Sequence, residues 1–565
     1  MRHRRGGIMA AALCTGATLL ALPHAAAGQV AAPQYGTAVK LPSSDGGTEP
    51  RAAVTPDGRR WVISNQNRTA VVYGSSDGVH WTRTATDPAG QVRATIDVDI
   101  VATRTGRLVA TELDSSGPAI ITSYSDDYGA TWTASASKLL SALDGTQLVD
   151  QDRPWLAVGP DDATTHQPRV YMLFHNLASG TLTHNMFVST STDGGATFGT
   201  PVPTTLPGSQ AWIDLQCADS GGPSNIVVNQ KTGQVYAVFG TRSSSAGGCG
   251  ASVTGPFEIN VVAATRVWVA TATPDAATQL TPTGWTQSLA VDDNATNQIV
   301  GMQLAPGAID NAGNFYILYP ESPNAYPDYT GAAVRYVHAP ADLSSWSKPV
   351  TVAPGGGAGH LLPHVVAGEP GQLDFAYFTG VAHGDKKPLW YTTAAQTLDG
   401  LSAAPHIVEQ RISDVATYQW TASEMMGACG TGPTAGVQNG TICPRSTDVW
   451  GIALDNQCHT VITWPVEAKG GTGATPDAES TQGTYVAVQT GGPTVCTPAV
   501  QASQSQSQST PSPTASAQAQ AQAATVQLPN TAAPAAGTAS AAAGAAFALL
   551  GALGLQHRKR RKRRA

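Results

Sequence analysis

Short apolar stretches come in pairs along most of this chain, each pair separated by a turn built on Gly, Asp, Asn or Pro. Ala53-Val54-Thr55-Pro56-Asp57-Gly58 leads into Trp61-Val62-Ile63; Ile100-Val101 passes through Thr105-Gly106 into Leu108-Val109-Ala110; Leu156-Ala157-Val158 passes through Pro160 into Val170-Tyr171-Met172. Four more pairs follow, Ile226-Val227-Val228 with Val235 to Phe239, Ala308-Ile309 with Phe315-Tyr316-Ile317, Val365-Val366-Ala367 with Phe375-Ala376-Tyr377, and Ile452-Ala453-Leu454 with Val461 to Trp464. Short runs rich in β-branched and aromatic residues between such turns are the pattern of buried hairpins, and no helical period competes with it. Spacings of roughly 45 to 80 residues leave room for four strands per unit. The expectation is an all-β propeller of seven four-stranded antiparallel blades over residues 35–498. One further strand, Thr484 to Val488, follows the seventh hairpin, and the segment from Gly36 to Leu41 can supply its outermost strand and join the last blade to the first.

A second repeat is laid over the first. Ser125-Asp126-Asp127-Tyr128-Gly129-Ala130-Thr131-Trp132 and Ser191-Thr192-Asp193-Gly194-Gly195-Ala196-Thr197-Phe198 share Ser-x-Asp-x-Gly-x-Thr-aromatic, and Ser75-Ser76-Asp77-Gly78-Val79-His80-Trp81 is a shorter copy. The Asp carboxylate can accept backbone N–H groups of its own turn, Gly supplies positive φ, and the closing aromatic returns to the sheet as an apolar plug. The motif resembles the Asp-box, or BNR repeat, of the sialidase-like β-propellers. The resemblance implies structural roles for Asp77, Trp81, Asp127, Gly129, Trp132, Asp193, Gly195 and Phe198, on hairpins at the blade rims. Sialidases of that family generally have six blades, so six stands as the alternative to a count of seven.

Both ends carry processing signals. Met1-Arg2-His3-Arg4-Arg5, an apolar run from about Ile8 to Ala21, and Ala25-Ala26-Ala27 read as an export signal over residues 1–27, by either the general or the twin-arginine route. Residues 501–527 hold only uncharged Gln, Ser, Ala, Thr, Pro and Val, a composition that buries no core and reads as a wall-spanning linker. Residues 528–565 contain Leu528-Pro529-Asn530-Thr531-Ala532, an apolar stretch to Leu555 and a basic tail. This resembles the LPxTG-type sorting signal of Gram-positive surface proteins, with Ala532 where that family has Gly, a variation that actinobacterial sortases accept. The resemblance implies sortase cleavage after Thr531 and attachment of Thr531 to peptidoglycan. A plain membrane anchor is the alternative, and either places the protein at the cell surface.

Charge then narrows the partners. The formal net charge is −7, but ten of the 32 Lys and Arg residues lie in the export signal and the tail after Thr531, leaving 22 against 39 Asp and Glu, or about −17. A chain so acidic is a poor match for nucleic acid. Six cysteines remain outside the signal, an even number suited to disulfides in an oxidising compartment. Proximity favours Cys217 with Cys249, Cys429 with Cys443 and Cys458 with Cys496, among fifteen connectivities. No Cys-x-x-Cys occurs, Pro363 breaks the helical spacing of His360 and His364, and Asp97-Val98-Asp99 lacks the Gly and distal Glu of a calcium loop. No cofactor is expected, with one structural calcium ion left open, and a monomer is expected.

In an antiparallel blade the start of the innermost strand and the end of the second lie on one edge, so these positions converge from all blades on a single mouth. They include Glu49, Arg51, Asp97, Asp99, Asp152, Arg153, Trp155, His360 and His364 at strand starts, and Glu112, Asp114, His175, Arg242 and Glu321 at strand ends, with Tyr326 and Tyr329 beyond. Glycoside cleavage needs paired carboxyl groups beside aromatic faces. Asp152, Glu112 and Glu321 are therefore the candidate acid or nucleophile, and Arg51, Arg153, Trp155, His175, Arg242 and Tyr326 the candidate substrate contacts. For each carboxylate, capping a turn is the competing role. The three-arginine pattern of the sialidases is not matched, since Glu49-Pro50-Arg51 stands where that family has Arg-Ile-Pro. The expectation is a surface propeller that binds extracellular glycans and, more narrowly, hydrolyses them as a sialidase-like exo-glycosidase. A non-catalytic adhesin or wall-associated scaffold is the alternative.

Overall fold

In the computed structural model, the described residues are 31–88, 95–114, 119–137, 145, 147–148, 151–176, 184–217, 222–241, 264–274, 280–292, 298–299, 305–324, 328–426, 437–438, 441–442, 450–466 and 482–498. Export signal, linker, sorting signal with Thr531, Arg242, Tyr326, Cys249, Cys429 and Cys443 lie outside them.

The hairpins become seven antiparallel blades. Blade 1 runs Gly47–Val54, Arg60–Gln66, Thr69–Ser75 and Thr82–Arg83; blade 2 runs Thr95–Ala102, Leu108–Asp114, Ala119–Ser125 and Thr133–Ala134; blade 3 runs Gln151–Asp161, Pro168–Asn176, Asn185–Ser191 and Val202–Pro203. Blade 4 runs Gly222–Val228, Val235–Thr241, Arg266–Ala272 and Thr286–Asp292; blade 5 has Gly307–Ile309, Phe315–Ser322, Ala333–Ala339 and Val350–Ala353; blade 6 has His360–Ala367, Leu373–His383, Lys386–Thr397 and Ile407–Arg411. Blade 7 takes Gly451–Leu454, Thr460–Val466 and Gly483–Gly491 from the C-terminal side of the propeller and Gln34–Tyr35 with Val39–Lys40 from the N-terminal side. The inner strands of successive blades pack side by side, and the seventh returns to the first, so the ring closes at seven.

The second and third strands of most blades are buried on both faces because each blade is sandwiched between two others. Seven apolar cores result, one per junction. Trp61, Ile63, Val98 and Leu108 fill the junction of blades 1 and 2, while Val62, Tyr73, Trp81, Val461 and Val486 fill that of blades 7 and 1. Cys458 and Cys496 form the disulfide that proximity favoured; Cys217 ends the helix Gln210–Cys217.

Register separates two faces. Thr48 lies opposite Asn65 at one end of blade 1, whereas Val54 lies opposite Arg60, and Arg60 opposite Ser75, at the other. The Asp-box that begins at Ser75 is therefore on the face away from the inner-strand starts.

Candidate functional site

The inner strands enter the ring through bulges. The pairing shifts register between Thr48 and Arg51, Thr95 and Val98, Asp152 and Trp155, and Leu361 and His364. In blades 1, 3 and 6 the bulge is the same dipeptide type: Glu49, Arg153 and Leu362 have φ of 48°, 57° and 54°, and each precedes a proline. A bulge leaves its extra residue outside the ladder, so a proline there removes no strand hydrogen bond, and the kink re-aims the side chain beside it. Such bulges set Glu49, Asp97 and Arg153 off the simple in-and-out alternation, at the mouth.

There they meet the candidate Asp152. His175 Nε2 lies 3.0 Å from Asp152 Oδ2, and Arg153 Nε lies 3.5 Å from the same oxygen. Burial opposes ionisation of Asp152, but the guanidinium of Arg153 and the hydrogen bond to His175 outweigh it and hold the carboxyl well below the usual carboxylate range. Asp97 is the opposite case. Burial first, then the charges of Glu49 and Asp152, push it well above the usual range against the pull of Arg153, and its side chain hydrogen-bonds both Glu49 and Asp152. In the row Glu49, Asp97, Asp152, the surroundings thus favour the proton on the middle carboxyl and the anion on Asp152. Two like groups with pKa values driven apart are the usual makings of an acid and a base.

A cavity of about 330 Å³ lies along the inner strands, with Arg51, Asp99, Trp155, His364 and Trp450 among its lining. Arg51 does not reach outward. Its Nε donates to Asp99 Oδ1 at 3.1 Å, its Nη1 to the Trp450 carbonyl at 3.3 Å, and its guanidinium lies 4.8 Å from the Trp155 ring centroid. Asp99 in turn accepts the Leu156 amide at 2.8 Å, which ties blade 3 to blade 2. Burial, with Arg51 alongside, drives His364 well below its ordinary value, so its ring is neutral at pH 7.

Trp155 requires a correction. It is fully buried, its Nε1 donates to the Pro223 carbonyl at 2.9 Å, and it packs in the core between blades 3 and 4. A ring in that position is a wall of the channel, not a lip for a sugar. The remaining candidates are spread around the ring. Glu112 is buried on the second strand of blade 2, opposite Val98. Glu321 is ion-paired with Arg335 on blade 5, two blades from Asp152. Among the described residues, no group of three or more His, Cys, Asp or Glu side chains has the geometry to hold a metal ion.

Glu49 and Asp97 are placed at the mouth by sequence reasoning but given no role by it. The available signal was the shared residue-proline pair at strand entry, Glu49-Pro50 beside Arg153-Pro154 and Leu362-Pro363.

Residues 52–244 match the BNR repeat-like domain, and residues 521–565 match the LPXTG cell wall anchor motif. No curated protein matches the chain. Among solved structures, an ulvan lyase of polysaccharide lyase family PL25 is similar at 12% identity over 68% of this chain and 86% of its own, with a TM-score of 0.42. A Hadza microbial sialidase is similar at 12% identity over 76% of this chain and 73% of its own, TM-score 0.38, and the Penicillium chrysogenum α-L-arabinanase at 10% identity over 81% and 98%, TM-score 0.35. The chain thus carries a BNR repeat-like domain within a seven-bladed propeller and ends in the anchor motif of a Gram-positive, cell-wall-attached surface protein.

Proposed function

We propose that this protein is a wall-attached propeller that binds extracellular glycans at the mouth and cleaves a glycosidic bond there, with sortase joining Thr531 to peptidoglycan. The observation that carries the reading is the Asp97 and Asp152 pair, two carboxyls in one hydrogen-bonded row whose surroundings push one up and the other down from the usual carboxylate range. Asp97 would give its proton to the departing sugar oxygen. The Asp152 anion would stabilise the positive charge that develops on the ring as the bond breaks. Glu112, across the strand pair from Val98, is a third carboxyl, buried on the same blade as Asp97.

A second reading, a binding propeller without turnover, is favoured by one specific observation. Asp152 is already neutralised by Arg153 and His175, as a purely structural strand entry would be. A fluorogenic glycoside panel run beside a glycan array separates the two. Catalysis predicts turnover of at least one glycoside, reduced about 100-fold or more by Asp97→Asn and by Asp152→Asn with array binding kept. Array binding with no turnover by the unaltered protein selects the adhesin.

A further inference from the structure

We propose that His175 is a positioning residue of the site: it fixes the direction of the Asp152 carboxylate, while Arg153 beside it supplies charge and little direction. The proposal rests on the cleavage reading above and gives the two groups that flank Asp152 different work. Its basis is geometric. Asp152 and His175 are direct cross-strand partners in blade 3, one on the innermost strand and the other on the second. That register brings the two side chains together on one face of the blade, and His175 Nε2 lies 3.0 Å from Asp152 Oδ2, a full hydrogen bond. Arg153 Nε lies 3.5 Å from the same oxygen, at the far limit for a directed bond but well within reach of its charge.

Exposure separates the roles further. The His175 side chain is 1% exposed, so it touches no sugar itself, whereas the Asp152 side chain is 20% exposed and keeps part of its carboxylate open at the mouth. The imidazole stands between the buried Phe174 and Asn176 along its strand and faces Met186 across it, so packing holds the ring and the ring holds the carboxylate. An ionised Asp152 only accepts, which places the His175 proton on Nε2 by the logic of the bond. Among the described residues, the charged and titratable groups acting on Asp152 are Arg153 on its own strand, His175 on the second strand of the same blade, and Asp97 on blade 2, which in turn faces Glu49 on blade 1. An anion that is to stabilise charge growing on a sugar ring has to be held within about 0.5 Å of its working place, and a fixed hydrogen bond does this where a diffuse charge does not.

The test uses the purified full chain and whichever fluorogenic glycoside of the panel the unaltered protein turns over fastest. His175→Phe keeps a ring and removes the donor, His175→Gln keeps a donor without the ring, and Arg153→Gln removes the charge. His175→Phe is expected to lower kcat about 100-fold while KM changes less than about threefold, and to move the acid limb of kcat/KM upward toward the ordinary carboxylate range. His175→Gln should recover at least about tenfold of that loss. Arg153→Gln should move the acid limb at least as far, yet lower kcat at the optimum by only about tenfold. His175→Asn, whose shorter side chain withdraws the donor, takes the place of His175→Phe should that variant not fold. A donor-less variant that melts earlier but keeps kcat and the acid limb would show a merely structural histidine and overturn the proposal, as would an Arg153→Gln that loses as much kcat as His175→Phe. Either result leaves the cleavage reading standing. Turnover of no glycoside by the unaltered protein would overturn both.

Discussion

Asp97 and Asp152 are the same side chain in two environments. Both are taken from water at the mouth, yet Asp152 has a guanidinium and an imidazole within reach while Asp97 has two carboxyls. If the row works as an acid and an anion, the signs of both shifts fix the pH profile of kcat/KM. Activity needs Asp152 ionised and Asp97 protonated. It is therefore expected to hold through the ordinary carboxylate range, to fall on the acid side only below that range, and to fall on the basic side as Asp97 at last gives up its proton. Glu49→Gln removes one of the charges that keep the proton on Asp97, so the basic limb should move toward lower pH while kcat at the optimum changes less. An unmoved basic limb in that variant would rule out Asp97 as the titrating group. Asp152 was legible in the sequence because Asp152-Arg153-Pro154-Trp155 is a conspicuous cluster. The role of Asp97 was not, since Asp-x-Asp at a strand start is explained by alternation alone, and what raises it is burial in the folded ring and then charge from Glu49 and Asp152 on other blades.

The blade is set by its turns, and here the structure holds more than the motif reveals. In the three recognisable boxes the Asp accepts backbone and hydroxyl donors of its own turn: Asp127 from Thr131 N and Ser125 Oγ at 2.8 and 2.9 Å, Asp193 from Thr197 N and Ser191 Oγ at 2.8 and 2.7 Å, and Asp77 from His80 N at 2.7 Å. Blade 6 repeats the arrangement with Thr397 Oγ1 and His406 N on Asp399, each at 2.9 Å, although no Trp, Tyr or Phe closes the turn. Blade 5 repeats it with Ser344 N on Asp342 at 3.0 Å, Leu343 at φ 54° where the short copy has Gly78 at 78°, and Trp346 as the plug, edge-on to Phe315. The hairpin was legible in all these blades from its apolar pairs. The degenerate turns were not, because a leucine in the left-handed region gives no signal in a sequence read for glycine. Each box also leans on the preceding blade: Arg107 of blade 2 pairs with Asp126 in the Asp-box of the same blade at 2.6 Å and donates to the Asp193 carbonyl of blade 3 at 3.0 Å, while a Cβ on Gly195 would stand 2.7 Å from Val109. Asp193→Ala should cost about 1–2 kcal/mol in urea unfolding, since it strips several turn bonds at once, and Asp127→Ala and Asp342→Ala should each lower the unfolding midpoint, Asp342→Ala the less because fewer turn bonds are lost. Equal costs at all three positions would mean that the plug, and not the carboxylate, sets the turn.

The whole ring depends on one closure, and two devices gather there. The N-terminal segment pairs Gln34 with Gly491 and Val39 with Val486, so the last blade is completed by the first residues of the propeller. Beyond Gly491 the chain crosses to blade 6. The Pro493 carbonyl accepts Gln396 and Gln489 side-chain amides at 3.0 and 2.6 Å, the Val495 carbonyl accepts the Glu369 amide at 2.7 Å, and Cys496 is bonded to Cys458. The covalent loop spans 38 residues and contains the strand on which the N-terminal segment sits, so opening the disulfide should cost about 4 kcal/mol by loop entropy and should release blade 7 before the others, seen as early hydrogen exchange at 34–40 and 483–491. Cys458→Ser with Cys496→Ser that melts uniformly would show the clasp to be redundant. Beneath the same junction Asp374 is fully buried between Gln396 of blade 6 and Thr460 of blade 7, and burial raises it to about 6. Its folded value exceeds its unfolded one, so its contribution is complete below about pH 4 and is lost as pH rises through about 6, a change of about 3 kcal/mol. The turn carboxyls Asp127, Asp193 and Asp342 are shifted downward, so what they contribute is present above the ordinary carboxylate value and lost as pH falls below it. With losses on either side, thermal stability should peak near about pH 4 and decline above it. Asp374→Asn keeps the shape and removes the titration, so its melting temperature should stay level from about pH 4 to 7 where that of the unaltered protein declines. A variant that declines in parallel with the unaltered protein would place the titrating group elsewhere and leave the disulfide as the device that secures the closure.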